Sequence, residues 1–215
     1  MTTGKRLFDI VFGLLIFLPG LPIILVVGML ILIRDGRPVF YLSRRMKTPT
    51  QSFNLIKFRT LRADANDHDD YVLGADKAHR ITPLGHFLRQ IRLDEIPQLW
   101  NVLRGDISFV GPRPPTPHYV ALFPDLYAQV LKSRPGITGL ATVMFHRHEE
   151  LMLAQCKTAK ETEATYVRRC IPRKARLDLL YQNKRSAALD AYLMYLTATK
   201  FFPLPGRRIK RLQRD

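Results

Sequence analysis

The chain has 215 residues and a formal net charge of +16, with 34 Lys and Arg against 18 Asp and Glu. Such an excess of positive charge predicts an anionic partner: nucleic acid, an acidic membrane surface or a phosphorylated substrate. Only two cysteines occur, Cys156 and Cys170. That number excludes a disulfide framework and favours a reducing, cytoplasm-facing compartment.

The first element is an apolar run of 24 consecutive uncharged residues, 10–33. A helix of this length can cross the roughly 30 Å hydrocarbon core of a membrane. Pro19, Gly20 and Pro22 interrupt the run. Because proline lacks the backbone donor and clashes with the preceding turn, these residues predict a sharp bend. A bent helix either passes through the bilayer or turns back to the side it came from.

Positive charge flanks the apolar run at both ends, with Lys5 and Arg6 before it and Arg34 and Arg37 after it. A bitopic helix usually keeps its Lys and Arg on the cytoplasmic side. A re-entrant helix-break-helix anchor over residues 1–36, with both ends on the cytoplasmic side, would explain the two basic flanks, while a bitopic span stays open as the simpler alternative. Beside a membrane segment, lipid and phosphorylated substrates are favoured over nucleic acid.

The rest of the chain contains mainly helical patterns. Short extended segments are predicted at 38–41 and 53–58, and an acidic surface excursion at 63–77. Apolar spacing, caps and breakers predict helices at 83–91, 94–104, 118–132, 149–169, 173–181 and 186–202. The expected fold is therefore mainly α with minor β: one domain over residues 37–200, followed by a basic tail, 201–215, that suits anionic lipid.

Asp94 and Glu95 are the candidate reactive residues. Acidic residues at a helix start commonly cap the helix and complement its dipole, and this structural role is one interpretation. The functional interpretation is that an ionised carboxylate acts as a nucleophile or as a ligand for a divalent cation that prefers oxygen. Cations that could clamp a diphosphate occur in four places: Lys57 with Arg59, Arg89 with Arg92, Arg113, and Arg134. Arginine matches phosphate geometry in bidentate fashion.

The longest motif is LDEIPQLWNVLRGD at residues 93–106, continued by SFVGPRP at 108–114. Shorter motifs are PVF at 38–40, KFRT at 57–60 and RPGITG at 134–139, and Leu177-Asp178, Tyr181, Ser186 and Leu189-Asp190 close the pattern. Taken in this order, the chain resembles the bacterial sugar transferases, which are monotopic phosphoglycosyl transferases. It departs from them at Leu21-Pro22, where Ser-Pro is frequent, and over residues 144–176, which match poorly.

The resemblance implies a re-entrant anchor in the bacterial inner membrane and a cytoplasmic α/β catalytic domain with interfacial amphipathic helices. It implies transfer of a phosphosugar from a UDP-sugar to a polyprenol phosphate such as undecaprenyl phosphate, with release of UMP. Asp94 would be the nucleophile, forming a phosphosugar-aspartate intermediate with Mg²⁺ bound beside it, and Glu95 would complete the dyad. Phosphate or nucleotide would be bound by Lys57, Arg59, Arg89, Arg113 and Arg134.

Further partners implied by the resemblance are anionic inner-leaflet lipids and downstream glycosyltransferases, and a homodimer is left open. The sugar, the polyprenol and the glycan are not determined. Two other functions remain as alternatives: a non-catalytic scaffold attached to the membrane through its basic surface, and a nucleic-acid binder. The second lacks any base-reading motif.

Overall fold

The computed structural model describes residues 2–62 and 80–201, without the side chains of the last two. The acidic excursion predicted at 63–77 lies outside the described residues. So does the basic tail, apart from the backbone of its first residue. Among the described residues, helices dominate and the sheet is limited to two pairs of short strands. The expectation of a mainly α fold with minor β is confirmed.

Helix α1 (Thr3–Arg34) contains the whole apolar run. The Thr2 side chain caps its first turn by accepting a hydrogen bond from the Lys5 amide. Pro19 and Pro22 lie inside the helix, with no non-helical residue between its two halves. In the part of the chain that the structure describes, it is the one helix long and apolar enough to cross a membrane, and only 17% of its most apolar window is buried. The re-entrant course remains a prediction.

An antiparallel hairpin follows, formed by β1 (Phe40–Met46) and β2 (Ser52–Phe58), with Phe40 opposite Phe58. The second strand lies where the sequence predicts it, and the first extends further than expected. Polar residues connect the two strands, and the Lys47 amide donates a hydrogen bond to the Gln51 carbonyl. Helix α2 (Pro83–Gln90) then begins after Thr82, whose hydroxyl accepts a hydrogen bond from the Gly85 amide. This cap and the first-turn proline were both evident in the sequence.

The helix predicted to start at Asp94 starts later. Residues Leu93–Glu95 form a 3₁₀ turn, and helix α3 spans Gln98–Arg104. Pro97 lies at the N-cap of α3, a position where its missing N–H leaves no hydrogen bond unmade. The helix ends, as predicted, at Gly105, which has φ of +84°. Such a left-handed conformation favours glycine at a helix end.

A parallel pair of three-residue strands, β3 (Ser108–Val110) and β4 (Gly136–Thr138), was not predicted. Three residues are too few for a periodic pattern, and the pairing joins segments far apart in the sequence. A glycine is required where the strands meet, because a Cβ at position 136 would lie 2.3 Å from the Gly111 nitrogen.

The remaining helices surround this strand pair. They are α4 (Pro117–Leu122), α5 (Pro124–Val130), α6 (Leu140–Leu153), α7 (Ala159–Thr165), a π-helical turn (Tyr166–Cys170), α8 (Ile171–Lys184) and α9 (Ala187–Phe201). The single helix predicted at 118–132 was wrong, because Pro124 disfavours helical geometry at Phe123. The helix predicted at 149–169 was also wrong: α6 begins nine residues earlier, and Thr158 caps the separate helix α7.

Two hydrophobic clusters join the anchor helix to the domain. The larger contains Leu99, Val102 and Phe109, with Phe12 and Phe17 of α1 packed against it. The smaller joins the other end of α1 to the hairpin and α2 through Val27, Ile31, Phe58 and Leu88. Both ends of the apolar helix therefore pack on the same domain.

Candidate active site

Asp94 and Glu95 lie on the 3₁₀ turn between α2 and α3. The residue before this turn, Arg92, has φ of +54° and ψ of +24°, which is a left-handed conformation rarely adopted by a residue with a side chain. Such backbone strain is concentrated at functional sites, where the surrounding structure enforces it. Neither the 3₁₀ turn nor α3 has a side-chain hydrogen bond at its N-cap. Asp94 and Glu95 therefore do not serve as helix caps.

Glu95 is surrounded by three cations. Its carboxylate lies 2.7 Å from Lys57 Nζ, 3.4 Å from an Arg92 nitrogen and 3.7 Å from an Arg113 nitrogen. Burial alone would raise the pKa of Glu95, but attraction to Lys57, Arg113 and Arg92 outweighs it and holds that pKa well below its usual range. Glu95 is therefore ionised at neutral pH and fixed in place.

Asp94 differs from its neighbour because no described residue donates a hydrogen bond to its carboxylate. The residue is 9% exposed. Burial and repulsion from Glu95 raise its pKa, while Lys57, Arg89 and Arg92 act in the opposite direction. The two adjacent carboxylates thus have distinct environments: Glu95 contacts three cations directly, whereas Asp94 accepts no hydrogen bond from the described residues.

Arg89, which the sequence predicted near the site, contributes to the electrostatics of Asp94. Its Nε donates a hydrogen bond to the Thr60 hydroxyl over 2.8 Å. This contact fixes the guanidinium and leaves its two terminal nitrogens without a hydrogen-bond partner among the described residues. Lys57, Arg89 and Arg113 are thus brought together around the two carboxylates, and their role toward phosphate remains a prediction.

Arg59 has a different position from the one expected of a phosphate-binding residue. Its side chain is buried, and its guanidinium donates to the carbonyls of Asp35, Gly36 and Arg37, over 2.5, 2.8 and 2.6 Å. It therefore connects the C-terminal end of α1 to the end of β2. A cation is favourable there because the last carbonyls of a helix carry partial negative charge.

Arg134 also lies outside the group of side chains around Asp94. Its guanidinium donates to the carbonyl of Gly105 at the end of α3, next to Arg6 of the anchor helix. Burial lowers its pKa, and repulsion from Arg6 adds to that effect. The structure does not place Arg59 or Arg134 in the group around Asp94, and their role toward phosphate remains a prediction.

A cavity of about 360 Å³ lies next to the cations that contact Glu95. Arg92 and Arg113, which contact Glu95, also line this cavity, and the Arg92 guanidinium lies 2.9 Å from His146 Nε2. Residues that the sequence did not single out as site residues form much of the wall, including Tyr119, Tyr127, Tyr166, Glu149, Lys174 and Asp178. They come from α4, α5, α6, α8 and the π-helical turn, so no local motif could have identified them as one site.

The donor set around Asp94 fits Mg²⁺ in one way only. Glu95 is committed to three cations, and the described residues contain no group of three His, Cys, Asp or Glu side chains suited to holding a metal. Magnesium, however, is often held by one or two carboxylates together with substrate phosphates and water. Asp94 can supply one such oxygen ligand, with the remainder coming from a bound diphosphate.

Comparison with known proteins gives the family. The model for the family described as bacterial sugar transferase matches residues 1–203. The chain belongs to this family.

Named relatives share about a third of their residues with this chain over the aligned part. The undecaprenyl-phosphate glucose phosphotransferase of Komagataeibacter xylinus is 33% identical over 199 residues, covering 90% of this chain and 35% of the relative. The UDP-glucose:undecaprenyl-phosphate glucose-1-phosphate transferase of Klebsiella pneumoniae is 35% identical over 202 residues, covering 92% and 40%. The exopolysaccharide production protein ExoY of Rhizobium meliloti is 35% identical over 151 residues, covering 64% and 67%. The chain thus spans little more than a third of the length of the first two relatives.

Proposed function

We propose that the chain transfers a sugar phosphate from a UDP-sugar to a polyprenol phosphate, with undecaprenyl phosphate as the expected acceptor. The observation that carries the proposal is a largely buried carboxylate, Asp94, to which no described residue donates a hydrogen bond, next to a cation cluster that already binds one anion, Glu95. The names of the Komagataeibacter and Klebsiella relatives describe this type of reaction.

The proposed reaction has two displacements at phosphorus. An Asp94 carboxylate oxygen attacks the sugar-bearing phosphorus of the UDP-sugar. The bond from that phosphorus to the bridging oxygen of the diphosphate breaks, and UMP leaves with the bond electrons. A phosphate oxygen of the polyprenol phosphate then attacks the resulting acyl phosphate, which gives polyprenyl diphosphate sugar and regenerates Asp94.

The side chains around Asp94 have separable tasks in this scheme. Arg89, Arg113 and Lys57 would compensate the negative charge that develops on the diphosphate oxygens. Glu95 would fix Lys57, Arg92 and Arg113 in position, since its carboxylate lies within 3.7 Å of a nitrogen of each. When bound through Asp94 and the diphosphate, Mg²⁺ would supply further neutralisation of phosphate charge.

The contacts of α1 support one mode of membrane attachment. Near its beginning, Arg6 donates to the carbonyls of Val102 and Leu103 over 2.7 and 2.6 Å. Just beyond its end, the Thr82 hydroxyl donates to the Asp35 carboxylate over 2.9 Å. A helix crossing the bilayer cannot have both ends on one domain that stays on a single side. These contacts support a re-entrant anchor, with the exposed apolar middle of α1 in the lipid. The basic residues at both ends of α1 favour the cytoplasmic side for the domain.

The experiment that tests the reaction is UMP release by the detergent-solubilised chain, supplied with undecaprenyl phosphate, Mg²⁺ and a panel of UDP-sugars. Asp94→Asn should abolish release, because an amide is a poor nucleophile. Asp125→Asn is the matched control: Asp125 is an exposed carboxylate in the first turn of α5, and its loss should leave the rate unchanged. Full UMP release by Asp94→Asn would rule out the covalent role.

The re-entrant anchor is tested separately by labelling. In a variant whose native Cys156 and Cys170 are replaced by serine, a cysteine introduced at Thr2 should react with a membrane-impermeant maleimide only in inside-out vesicles, in which the cytoplasmic face is exposed. Reaction only in right-side-out vesicles would establish a bitopic span.

A further inference from the structure

The cavity beside the candidate active site contains a buried carboxylate without a hydrogen-bond partner among the described residues. Asp178 lies on α8 and is 7% exposed, yet no described residue forms a hydrogen bond with it. A buried polar group without a partner is costly, and buried carboxylates are normally paired or hydrogen-bonded. An unpaired buried carboxylate that lines a cavity is therefore suited to accept hydrogen bonds from a ligand.

Neighbouring groups make the cavity fit a polar ring. Lys174 Nζ lies 2.9 Å from the Glu149 carboxylate and 5.0 Å from the centre of the Tyr166 ring. Tyr166 and Tyr119 have their ring centres 5.0 Å apart. Because Lys174 is already paired with Glu149, it does not neutralise Asp178 by direct contact. The wall thus combines aromatic faces with acceptor oxygens, which is the combination that recognises hydroxylated rings.

The position of the cavity identifies the ligand more closely. Arg92 and Arg113 line one side of the cavity and contact Glu95, next to Asp94. A diphosphate bound by these cations would extend its substituent into the cavity. In a nucleotide sugar, the groups on either side of the diphosphate are a ribose and a pyranose, and both present neighbouring hydroxyls to an acceptor.

We infer that Asp178 binds the hydroxyls of a sugar ring attached to the diphosphate of the donor substrate. This inference rests on the proposed function and adds to it a residue of the donor site. The ribose and the transferred pyranose both carry a pair of neighbouring hydroxyls, so either ring could be the one that Asp178 binds.

The experiment is equilibrium binding of three probes, UDP-glucose, UDP and inorganic pyrophosphate, to the detergent-solubilised full chain with Mg²⁺ present. Every protein in this experiment also carries Asp94→Asn, which prevents the first displacement and keeps UDP-glucose intact. Asp178→Asn keeps the side-chain shape and removes the charge. It should weaken UDP-glucose binding by about tenfold to a hundredfold, the range for lost hydrogen bonds to a charged group. Pyrophosphate, which has no ring, should bind unchanged. Asp178→Ser gives a second variant with the same expectation, and Asp125→Asn is the control for removal of a carboxylate.

The UDP result identifies the ring. If UDP loses affinity by the same factor as UDP-glucose, Asp178 binds the ribose; if UDP is unaffected, it binds the pyranose. Unchanged UDP-glucose affinity in both variants would overturn the inference. So would an equal loss of pyrophosphate affinity, because that would indicate a structural or long-range electrostatic role.

Failure of this inference is distinguishable from failure of the proposed reaction. Binding is measured without turnover, whereas the nucleophile is tested by UMP release from Asp94→Asn. One combination of results is that UMP release depends on Asp94 while the affinity for UDP-glucose does not depend on Asp178. That combination would leave the proposed function standing and would refute only the assignment of Asp178 to a sugar ring.

Discussion

Replacing Glu95 by glutamine removes the carboxylate shared by Lys57, Arg92 and Arg113. The Glu95 and Lys57 side chains are only 13% and 19% exposed, so water compensates little for the lost charge. Removing one partner of such a pair costs about 3–5 kcal/mol of unfolding free energy. Lys57→Met should cost less, about 1.5–3 kcal/mol, because Glu95 keeps the two arginines at 3.4 and 3.7 Å.

The pH dependence has a definite sign. The pKa of Glu95 is held well below its usual value of 4.5 in the folded protein. Its ionisation therefore contributes stability that is fully present above that value and is lost as the pH falls through the folded-state pKa. The stability difference between wild type and Glu95→Gln should be complete at neutral pH and should shrink under strongly acidic conditions.

The assay is urea unfolding of the detergent-solubilised protein for wild type, Glu95→Gln, Lys57→Met and the double variant, across a series of pH values. The two residues are in contact, so the cost of the double variant should be less than the sum of the single costs. Strictly additive costs, or a Lys57→Met variant less stable than Glu95→Gln, would refute this account of the cluster.

Three further results are expected. Arg59→Met should lower the unfolding free energy by about 3 kcal/mol, because three carbonyls lose a charged donor. It should leave KM for the UDP-sugar unchanged. A variant with a raised KM and unchanged stability would instead indicate that Arg59 binds phosphate. Asp178→Asn should stabilise the protein by on the order of 4 kcal/mol above neutral pH, because burial raises the pKa of Asp178 from 3.8 to about 7. Urea unfolding at a series of pH values should show that the gain in unfolding free energy is absent below the lower of these two pKa values and grows as the pH rises to the higher one. Gly85→Ala should destabilise the fold and reduce kcat, because a Cβ there would lie 2.3 Å from the Thr60 carbonyl oxygen. The effect on kcat is expected because the Thr60 hydroxyl accepts a hydrogen bond from Arg89. An unchanged melting temperature and an unchanged turnover rate in Gly85→Ala would contradict this prediction.

The sequence alone identified the parts of the site that depend on short segments of the chain. Asp94 and Glu95 adjoin each other in a long contiguous motif, so their proximity needed no tertiary information. Thr82 and Gly105 were recognisable because capping and the end of a helix depend on residues within one turn. The apolar run of α1 was evident from composition and length.

Local sequence patterns did not predict which way a side chain points when it lies just beyond the end of a strand. Lys57 and Arg59 are two residues apart, and in a continuous strand they would point to the same side. Strand β2 ends at Phe58, however, so Lys57 contacts Glu95 while Arg59 donates to the carbonyls after α1. Arg134 likewise lies just before β4, where its position depends on how that strand pairs with β3.

Sequence alone thus determined an apolar anchor, a mostly helical domain and an acidic pair accompanied by cations, because each is encoded in composition or in neighbouring residues. Only the tertiary structure decided which cations reach the acidic pair, that both ends of α1 pack on one domain, and that Asp178 lines a cavity beside Arg92 and Arg113. These arrangements depend on packing between segments up to 185 residues apart, such as Lys5 with Asp190, and such packing leaves no periodic signal along the chain.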